Sequence, residues 1–94
     1  MPYLLVRANV DDYESWKPGF DEHAATREEN GSKGGRLFRS ADDPNEVAVI
    51  LEWNELEEAR RFAQSEDLRE AMERHGVVGQ PDIYFLEEVE EVPV

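Results

Sequence analysis

The segment Glu46–Trp53, which reads EVAVILEW, is the stretch that decides how this 94-residue chain folds. Five consecutive apolar residues, Val47 to Leu51, form the strongest strand pattern in the sequence. A strand without a polar face is typical of a position covered on both sides. We therefore predict a strand here that is buried on both of its faces.

Two further strands are predicted on the N-terminal side of this segment. Pro2–Val10 carries apolar residues at every second position, which is the period of a half-buried strand. Lys33–Ser40 is also predicted to be a strand, although glycines loosen its start. The residues at 42–45, Asp-Asp-Pro-Asn, have the composition of a turn between Lys33–Ser40 and Glu46–Trp53.

The residues between the first two strands predict a helix. Asp11 and Glu14 have the spacing of a capping box, so we expect the helix to begin there. Gly31 is suited to ending it, close to Asn30. Pro18 lies inside the helical stretch and is expected to kink the helix or to mark where its regular part begins.

The C-terminal half predicts a second helical region and a last strand. Asn54 and Glu57 have capping spacing before an amphipathic stretch. Ser65 is expected to start a second helical segment, which stops at Gly76. The last strand is predicted from Ile83 to about Val92. The apolar stripe of the first segment comprises Leu56, Ala59, Phe62 and Ala63. The corresponding positions of the second segment are Leu68, Ala71, Met72 and His75.

The predicted order is strand, helix, strand, strand, helix, strand, in a single domain over residues 1–94. This is the split βαβ, ferredoxin-like arrangement, an α+β fold with a four-stranded antiparallel sheet and both helical regions on one face. The other face would meet solvent, but the strand residues that face it are too apolar for that. We therefore expect a homodimer in which two such sheet faces pack together. A monomer with a half-wet sheet is the alternative.

The charge of the chain excludes two classes of partner. There are 23 acidic and 10 basic residues, giving a formal net charge of −13. A nucleic-acid-binding protein needs a basic surface, and an anionic membrane would repel this chain, so we expect neither partner. Only two of the ten cations are lysine. High acidity with little lysine favours the cytoplasm of a salt-adapted organism, with an ordinary acidic protein as the alternative.

The chain contains no cysteine, which excludes disulfides, thiolate catalysis and cysteine-ligated metal centres. The residues after Met1 lack a basic segment and a cleavage site, so we expect no secretory signal. No apolar run approaches the roughly 18 residues that a membrane span needs. His23 and His75 do not belong to a metal-binding motif, so no metal site is expected.

The first predicted helix holds the candidate functional residues. At about 100° per residue, one stripe of this helix combines three aromatic side chains with a histidine and an arginine. The acidic residues of the helix lie off this stripe. The stripe consists of Tyr13, Trp16, Phe20, His23 and Arg27.

Two interpretations of this stripe remain open. In the first, the aromatic residues bind a planar small molecule in a pocket between helix and sheet. His23 is then the catalytic acid or base, and Arg27 holds an anionic or enolate oxygen. In the second, the stripe is ordinary core, in which His23 bonds to the backbone and Arg27 reaches a surface carboxylate.

Three residues outside the helix are further candidates for ligand contact, namely Arg36, Trp53 and Tyr84. Arg36 and Arg39 lie on opposite faces of their strand, so one of them is expected to point inward, toward the pocket or into a salt bridge. Tyr84 is expected either to bond to a ligand or to fill the dimer core. His75 lies in the last turn of its helix, where a cation is favoured, and we interpret it as a cap.

The whole chain resembles the dimeric α+β barrel superfamily, and most closely its antibiotic-biosynthesis-monooxygenase-like group, which includes small cyclase-like proteins. Three segments carry the resemblance: Asp12–His23 (DYESWKPGFDEH), Gly35–Arg39 (GRLFR) with the turn and strand that follow, and Ala59–Met72 (ARRFAQSEDLREAM). The last of these segments specifies the fold better than the chemistry.

The resemblance implies a homodimer with an apolar cavity in each protomer. Relatives include cofactor-independent oxygenases of polyphenolic substrates, haem-degrading enzymes, and cyclases or isomerases. It therefore implies an enzyme that needs no cofactor and acts on an aromatic or polyketide-like metabolite, with Trp16, His23 and Arg27 in the pocket. A ligand-binding or stress-associated barrel protein without turnover is the alternative, and a structural dimer with a filled core is a third possibility.

Overall fold

The computed structural model describes the whole chain, Met1–Val94, as a four-stranded antiparallel sheet with helices packed on one face. The strand order is β2-β3-β1-β4, which is ferredoxin-like, so the predicted fold class is confirmed. Each of the two predicted helical regions is divided in two. The elements are β1 (Pro2–Val10), α1 (Tyr13–Glu22), α2 (Ala24–Glu29), β2 (Ser32–Arg39), β3 (Glu46–Trp53), α3 (Leu56–Ala63), α4 (Glu66–Arg74) and β4 (Val77–Glu87).

Strand β3 has the predicted bounds and lies between β1 and β2. Its two faces differ, however, because every second residue is buried and the others are only half-buried. Val49 and Leu51 face the helices, whereas Ile50 faces away from them. Within one chain only the face toward the helices is fully buried, since no element of the same chain covers the second face.

The helix starts differ from the prediction by one residue. Asp12, not Asp11, caps α1, and its carboxylate accepts a hydrogen bond from the backbone N–H of Ser15 at 3.1 Å. Glu55, not Asn54, caps α3 in a capping box with Glu58. In each case an acidic neighbour of the predicted residue satisfies the same free N–H groups, which local spacing alone does not distinguish.

The first helical region breaks at His23, five residues after Pro18. Pro18 remains inside α1. His23 is both the C-cap of α1 and the N-cap of α2. Ser65 starts α4 as predicted, since its hydroxyl accepts a hydrogen bond from the Leu68 N–H at 3.2 Å. Gly76 follows α4 with a φ of 86°, a conformation that favours glycine.

The last strand, β4, begins earlier and ends earlier than the predicted range of Ile83 to about Val92. It begins at Val77, immediately after Gly76, and ends at Glu87. The sequence around Pro81 does not predict a strand, because proline has no N–H to donate to a neighbouring strand. Since β4 is an edge strand, this missing donor is tolerated.

The core lies between the helices and the sheet face that β1 and β3 turn toward them. Trp53 and Leu4 are its largest fully buried side chains. The other residues of the buried cluster are Ala8, Val10, Trp16, Val47, Val49, Leu51, Ala59 and Phe62.

The opposite sheet face carries several apolar side chains that this chain leaves uncovered. We call it the outer face, and its apolar residues are Leu5, Phe38, Ala48, Ile50, Tyr84 and Leu86, with Leu5 opposite both Ile50 and Tyr84 in the register. Phe38 is 49% exposed, Tyr84 52% and Leu86 42%. None of the helices combines the length and apolar character needed to cross a membrane.

Candidate functional site

A cavity of about 80 Å³ lies between the helices and the inner face of the sheet. Twelve of its 16 lining residues are hydrophobic. Its floor comes from β1 and β3, through Val6, Ala8, Val47, Val49 and Leu51. Three titratable side chains line it, His23, Arg27 and His75, and no acidic residue does. The titratable side chains that line the cavity are therefore all basic, although the chain as a whole has a net charge of −13.

One wall of the cavity is aromatic and comes from α1. Trp16 and Phe20 are stacked, with ring centroids 5.0 Å apart and an interplanar angle of 28°. This geometry follows from their four-residue separation on one helix face. Tyr13 packs against the far side of Trp16, 5.8 Å away, and carries the Arg39 guanidinium 4.7 Å from its ring. Tyr13 therefore supports the wall through Trp16 and is not among the residues that line the cavity.

Arg27 reaches back from α2 to the end of α1. Its guanidinium carbon lies 4.0 Å from the centre of the Phe20 ring, and its Nη1 donates to the Phe20 carbonyl oxygen at 2.9 Å. These contacts hold the guanidinium at the cavity without an acidic partner. Burial lowers the pKa of Arg27, because a charge in an apolar setting loses hydration. The core interpretation placed Arg27 on a surface carboxylate, and that contact is not formed.

His23 lies at the break between α1 and α2, with its ring 6.0 Å from that of Phe62. Partial burial lowers the pKa of His23, and the positive charge of Arg27 lowers it further. The imidazole is therefore neutral at neutral pH, and one of its ring nitrogens is able to accept a proton. The hydrogen bond from His23 to the backbone that the core interpretation required is not seen.

His75 is the lining residue that sequence reasoning missed as a site candidate. Its backbone N–H donates to the Ala71 carbonyl oxygen at 3.0 Å and caps α4, as predicted. Its side chain, however, lines the cavity and lies against Gly19, where a β-carbon would overlap the ring. A signal for this was present, since a glycine inside a helix costs about 1 kcal/mol relative to alanine and suggests a close approach.

Three other predicted ligand contacts are not among the residues that line the cavity. Trp53 is fully buried, 5.1 Å from the Phe62 ring, and its indole Nε1 has no hydrogen-bond partner. Arg36 is opposite Ile50 in the register and lies on the outer face. Tyr84 lies on that face too. For Arg36 and Tyr84 the cause is the alternation of a strand, which sends neighbouring residues to opposite sides of the sheet.

The structure contains no group of three or more His, Asp or Glu side chains positioned to hold a metal ion. The cavity contains two imidazoles, but no carboxylate accompanies them.

The fold and the cavity together define a ferredoxin-like α+β protein with an apolar, cation-bearing site between its helices and sheet. The sequence profile of one family, described as antibiotic biosynthesis monooxygenase, matches residues 11–74. The chain therefore belongs to the antibiotic biosynthesis monooxygenase family, whose members typically bind small molecules. No match is found among curated protein sequences.

Solved structures of similar fold include two that cover nearly the whole chain. A Bordetella bronchiseptica protein, whose name places it among the antibiotic biosynthesis monooxygenases, superposes with a TM-score of 0.80 at 17% identity, over 95% of this chain and 97% of its own. SnoaB of Streptomyces nogalater, a cofactor-independent oxygenase, has a TM-score of 0.78 at 16% identity, over 99% of this chain and 97% of its own. At these identities the likeness establishes the fold alone.

Proposed function

We propose that this protein is a cofactor-independent oxygenase that acts on an aromatic, phenolic metabolite. The observation that carries the proposal is the set of titratable groups in the cavity, where His23 and Arg27 lie beside the stacked rings of Trp16 and Phe20 with no acidic residue among them. Membership of the antibiotic biosynthesis monooxygenase family and the fold shared with SnoaB support the same class of reaction.

The dimensions of the cavity limit what enters it. Its volume of about 80 Å³ is roughly half that of the cavity in which an engineered protein core binds benzene. The apolar floor and the aromatic wall favour binding of one edge of an aromatic ring in the cavity. The rest of the substrate would then extend out of the cavity. A single phenolic ring, or the end ring of a larger polyketide-like molecule, fits this description.

The proposed chemistry needs only a proton acceptor and a cation. Neutral His23 takes the proton of the phenol, and Arg27 stabilises the phenolate oxygen that results. The electron-rich carbon of the phenolate then reacts with dioxygen to form a hydroperoxide on the substrate. Loss of water from this hydroperoxide converts the ring C–H to a carbonyl and gives a quinone, so one oxygen atom enters the substrate and the other leaves as water. The substrate supplies all the electrons.

A homodimer through the outer face is part of this proposal. Phe38, Tyr84 and Leu86 are between 42% and 52% exposed, and Ile50 lies among them on β3. Large side chains in a contiguous sheet face are costly to leave in water, at about 25 cal/mol per Å² of apolar surface. A second copy offers a matching surface through a two-fold axis.

Oxygen uptake with a panel of hydroquinones and single-ring phenols tests the activity. We expect uptake with at least one of them, product formation in a 1:1 ratio to oxygen, and a loss of at least about 100-fold in His23→Gln. Glu22→Gln is the matched control, because Glu22 is the exposed neighbour of His23. Turnover that is unchanged in His23→Gln would remove His23 as the base.

The same experiment separates the enzyme from a ligand-binding protein without turnover. If phenols perturb the indole signal of Trp16 while no oxygen is consumed, the protein is a binder and the proposed activity is wrong. If no phenol perturbs it, the cavity is closed to such ligands and both assignments fail.

A further inference from the structure

Arg27 borders a second space in addition to the cavity. A groove of about 410 Å³ lies on the outside of the molecule, between α2, the start of β2 and the residue after β3. Seven of its eight lining residues are not hydrophobic. Arg27 is the only residue shared by the groove and the cavity. A ligand too large for the cavity therefore has a polar space next to the arginine that borders both.

The groove has a second cation, Lys33, which makes no ion pair in the structure. The only other lysine, Lys17, is neutralised by Asp21 at 2.7 Å. Arg27 likewise makes no ion pair. Burial lowers the pKa of Arg27, and the charge of Asp21 raises it. The carboxylate of Glu28 also lines the groove, and that of Glu58 lies against Gly31 at its edge. Seven of the ten basic residues make no ion pair, and Lys33 and Arg27 are the two of them that line this groove.

The backbone at Lys33 is also irregular. In the ladder between β2 and β3, Ser32 is opposite Trp53 and Gly34 is opposite Glu52, so Lys33 is an extra residue. Gly34 has a φ of 101°, a conformation that favours glycine. Its N–H leaves the ladder and bonds to the Ser32 hydroxyl at 3.2 Å. Such bulges redirect a side chain at a sheet edge and occur next to active sites.

We propose that this groove binds the anionic arm of the small molecule whose ring occupies the cavity, with Lys33 and Arg27 as the cations that hold a carboxylate there. The inference rests on the proposed small-molecule site and specifies its ligand as a ring compound with a short acidic side chain. Ser32 and Asn54, which also line the groove, supply neutral hydrogen-bonding groups for the same carboxylate.

Two probes of the same shape test this, namely 3-phenylpropionate and its neutral amide, 3-phenylpropanamide. Binding to the full chain is followed by NMR titration in 0.5 M NaCl, where the net charge of the protein is largely screened. The indole N–H signal of Trp16 reports on the cavity, and the amide signal of Gly34 reports on the groove. We expect the carboxylate to bind about 3- to 10-fold more tightly than the amide.

Lys33→Gln is the decisive variant, with Lys17→Gln as the matched control. Because Arg27 remains in Lys33→Gln, we expect this variant to lower the ratio of carboxylate to amide affinity at least about 2-fold, with the affinity of the amide unchanged, while Lys17→Gln leaves both affinities as they were. Equal affinities in the wild-type protein, or a ratio that falls by less than this in Lys33→Gln, would overturn the inference alone. If neither probe perturbs the Trp16 signal, the small-molecule site itself is wrong and the inference falls with it.

Discussion

The imidazole of His75, at the end of α4, rests on the backbone of Gly19, in the middle of α1. A side chain at position 19 would overlap that ring, so the two helices approach through the space that glycine leaves. This contact brings His75 into a cavity that it shares with His23 and Arg27. Residues from opposite ends of the sequence thus form one site.

Replacing Gly19 with alanine is expected to lower the free energy of unfolding. The substitution favours the helix by about 1 kcal/mol, but the overlap with His75 outweighs this gain. In a His75→Ala background the ring is absent, so the same substitution should stabilise the protein by up to about 1 kcal/mol. Urea unfolding of the four proteins measures both changes. Stabilisation by Gly19→Ala in both backgrounds would show that the contact carries no constraint.

The ionisation of His23 is expected to respond in opposite directions to two of the charged residues around it. Arg27 lowers the pKa of His23 and Asp67 raises it. Arg27→Gln should therefore raise this pKa, and Asp67→Asn should lower it. NMR titration of the imidazole protons in the free protein measures both. Shifts of the same sign in the two variants would contradict this electrostatic account.

The lowered pKa of His23 has a consequence for stability against acid. The folded chain holds His23 neutral where the unfolded chain, at an ordinary value of 6.5, already binds the proton. The contribution of His23 to stability is therefore complete above pH 6.5 and falls as the pH drops toward the folded pKa. His23→Gln should flatten the decline of unfolding free energy in that window.

Tyr3 is expected to ionise near pH 12. Its hydroxyl donates to Glu88 at 3.0 Å and to Glu52 at 3.3 Å, and the hydrogen bond to Glu88, above all, raises the pKa of Tyr3 to about 12. Glu88→Gln should lower this pKa, whereas Glu91→Gln, a similar loss of charge nearby in the chain, should change it less. Tyrosinate absorbance against pH measures the effect. A titration that is identical in Glu88→Gln and the wild-type protein would refute the contact.

Self-association through the outer face is expected to depend on Phe38. A glutamate at this position adds a charge that is tolerated in a free chain, because Phe38 is 49% exposed, but that a packed sheet face cannot hydrate. Phe38→Glu should therefore be a monomer at concentrations where the wild-type protein is a dimer. Val89→Glu adds the same charge at a site that is 94% exposed and should remain dimeric. Sedimentation velocity distinguishes the two states, and a monomeric wild-type protein would exclude the dimer.

Salt is expected to stabilise the fold. A net charge of −13 opposes compaction, and the screening length falls from about 10 Å at 0.1 M salt to about 3 Å at 1 M. The four ion pairs that salt would weaken are exposed or half-exposed, and such pairs contribute only about 0.2–1 kcal/mol each. The urea midpoint should rise between 0.1 and 1 M NaCl. A fall would mean that the ion pairs outweigh the repulsion.

The sequence by itself determined the element order and the bounds of β3, because apolar periodicity reports directly which side chains must leave water. It also grouped Trp16, Phe20, His23 and Arg27, all of which line the cavity, since that grouping depends only on a local repeat. It missed the break at His23, although that break is what turns Arg27 back over Phe20. Helix ends depend on packing as well as on local spacing.

Only the tertiary structure decided which strand residues face the cavity and that His75 joins it. Arg36 and Tyr84 were separated from the site by strand register, which one residue of slip reverses. His75 reached it through a contact with Gly19, a residue 56 positions earlier. Long-range contacts of this kind depend on how whole helices pack, and no local pattern in the chain encodes them.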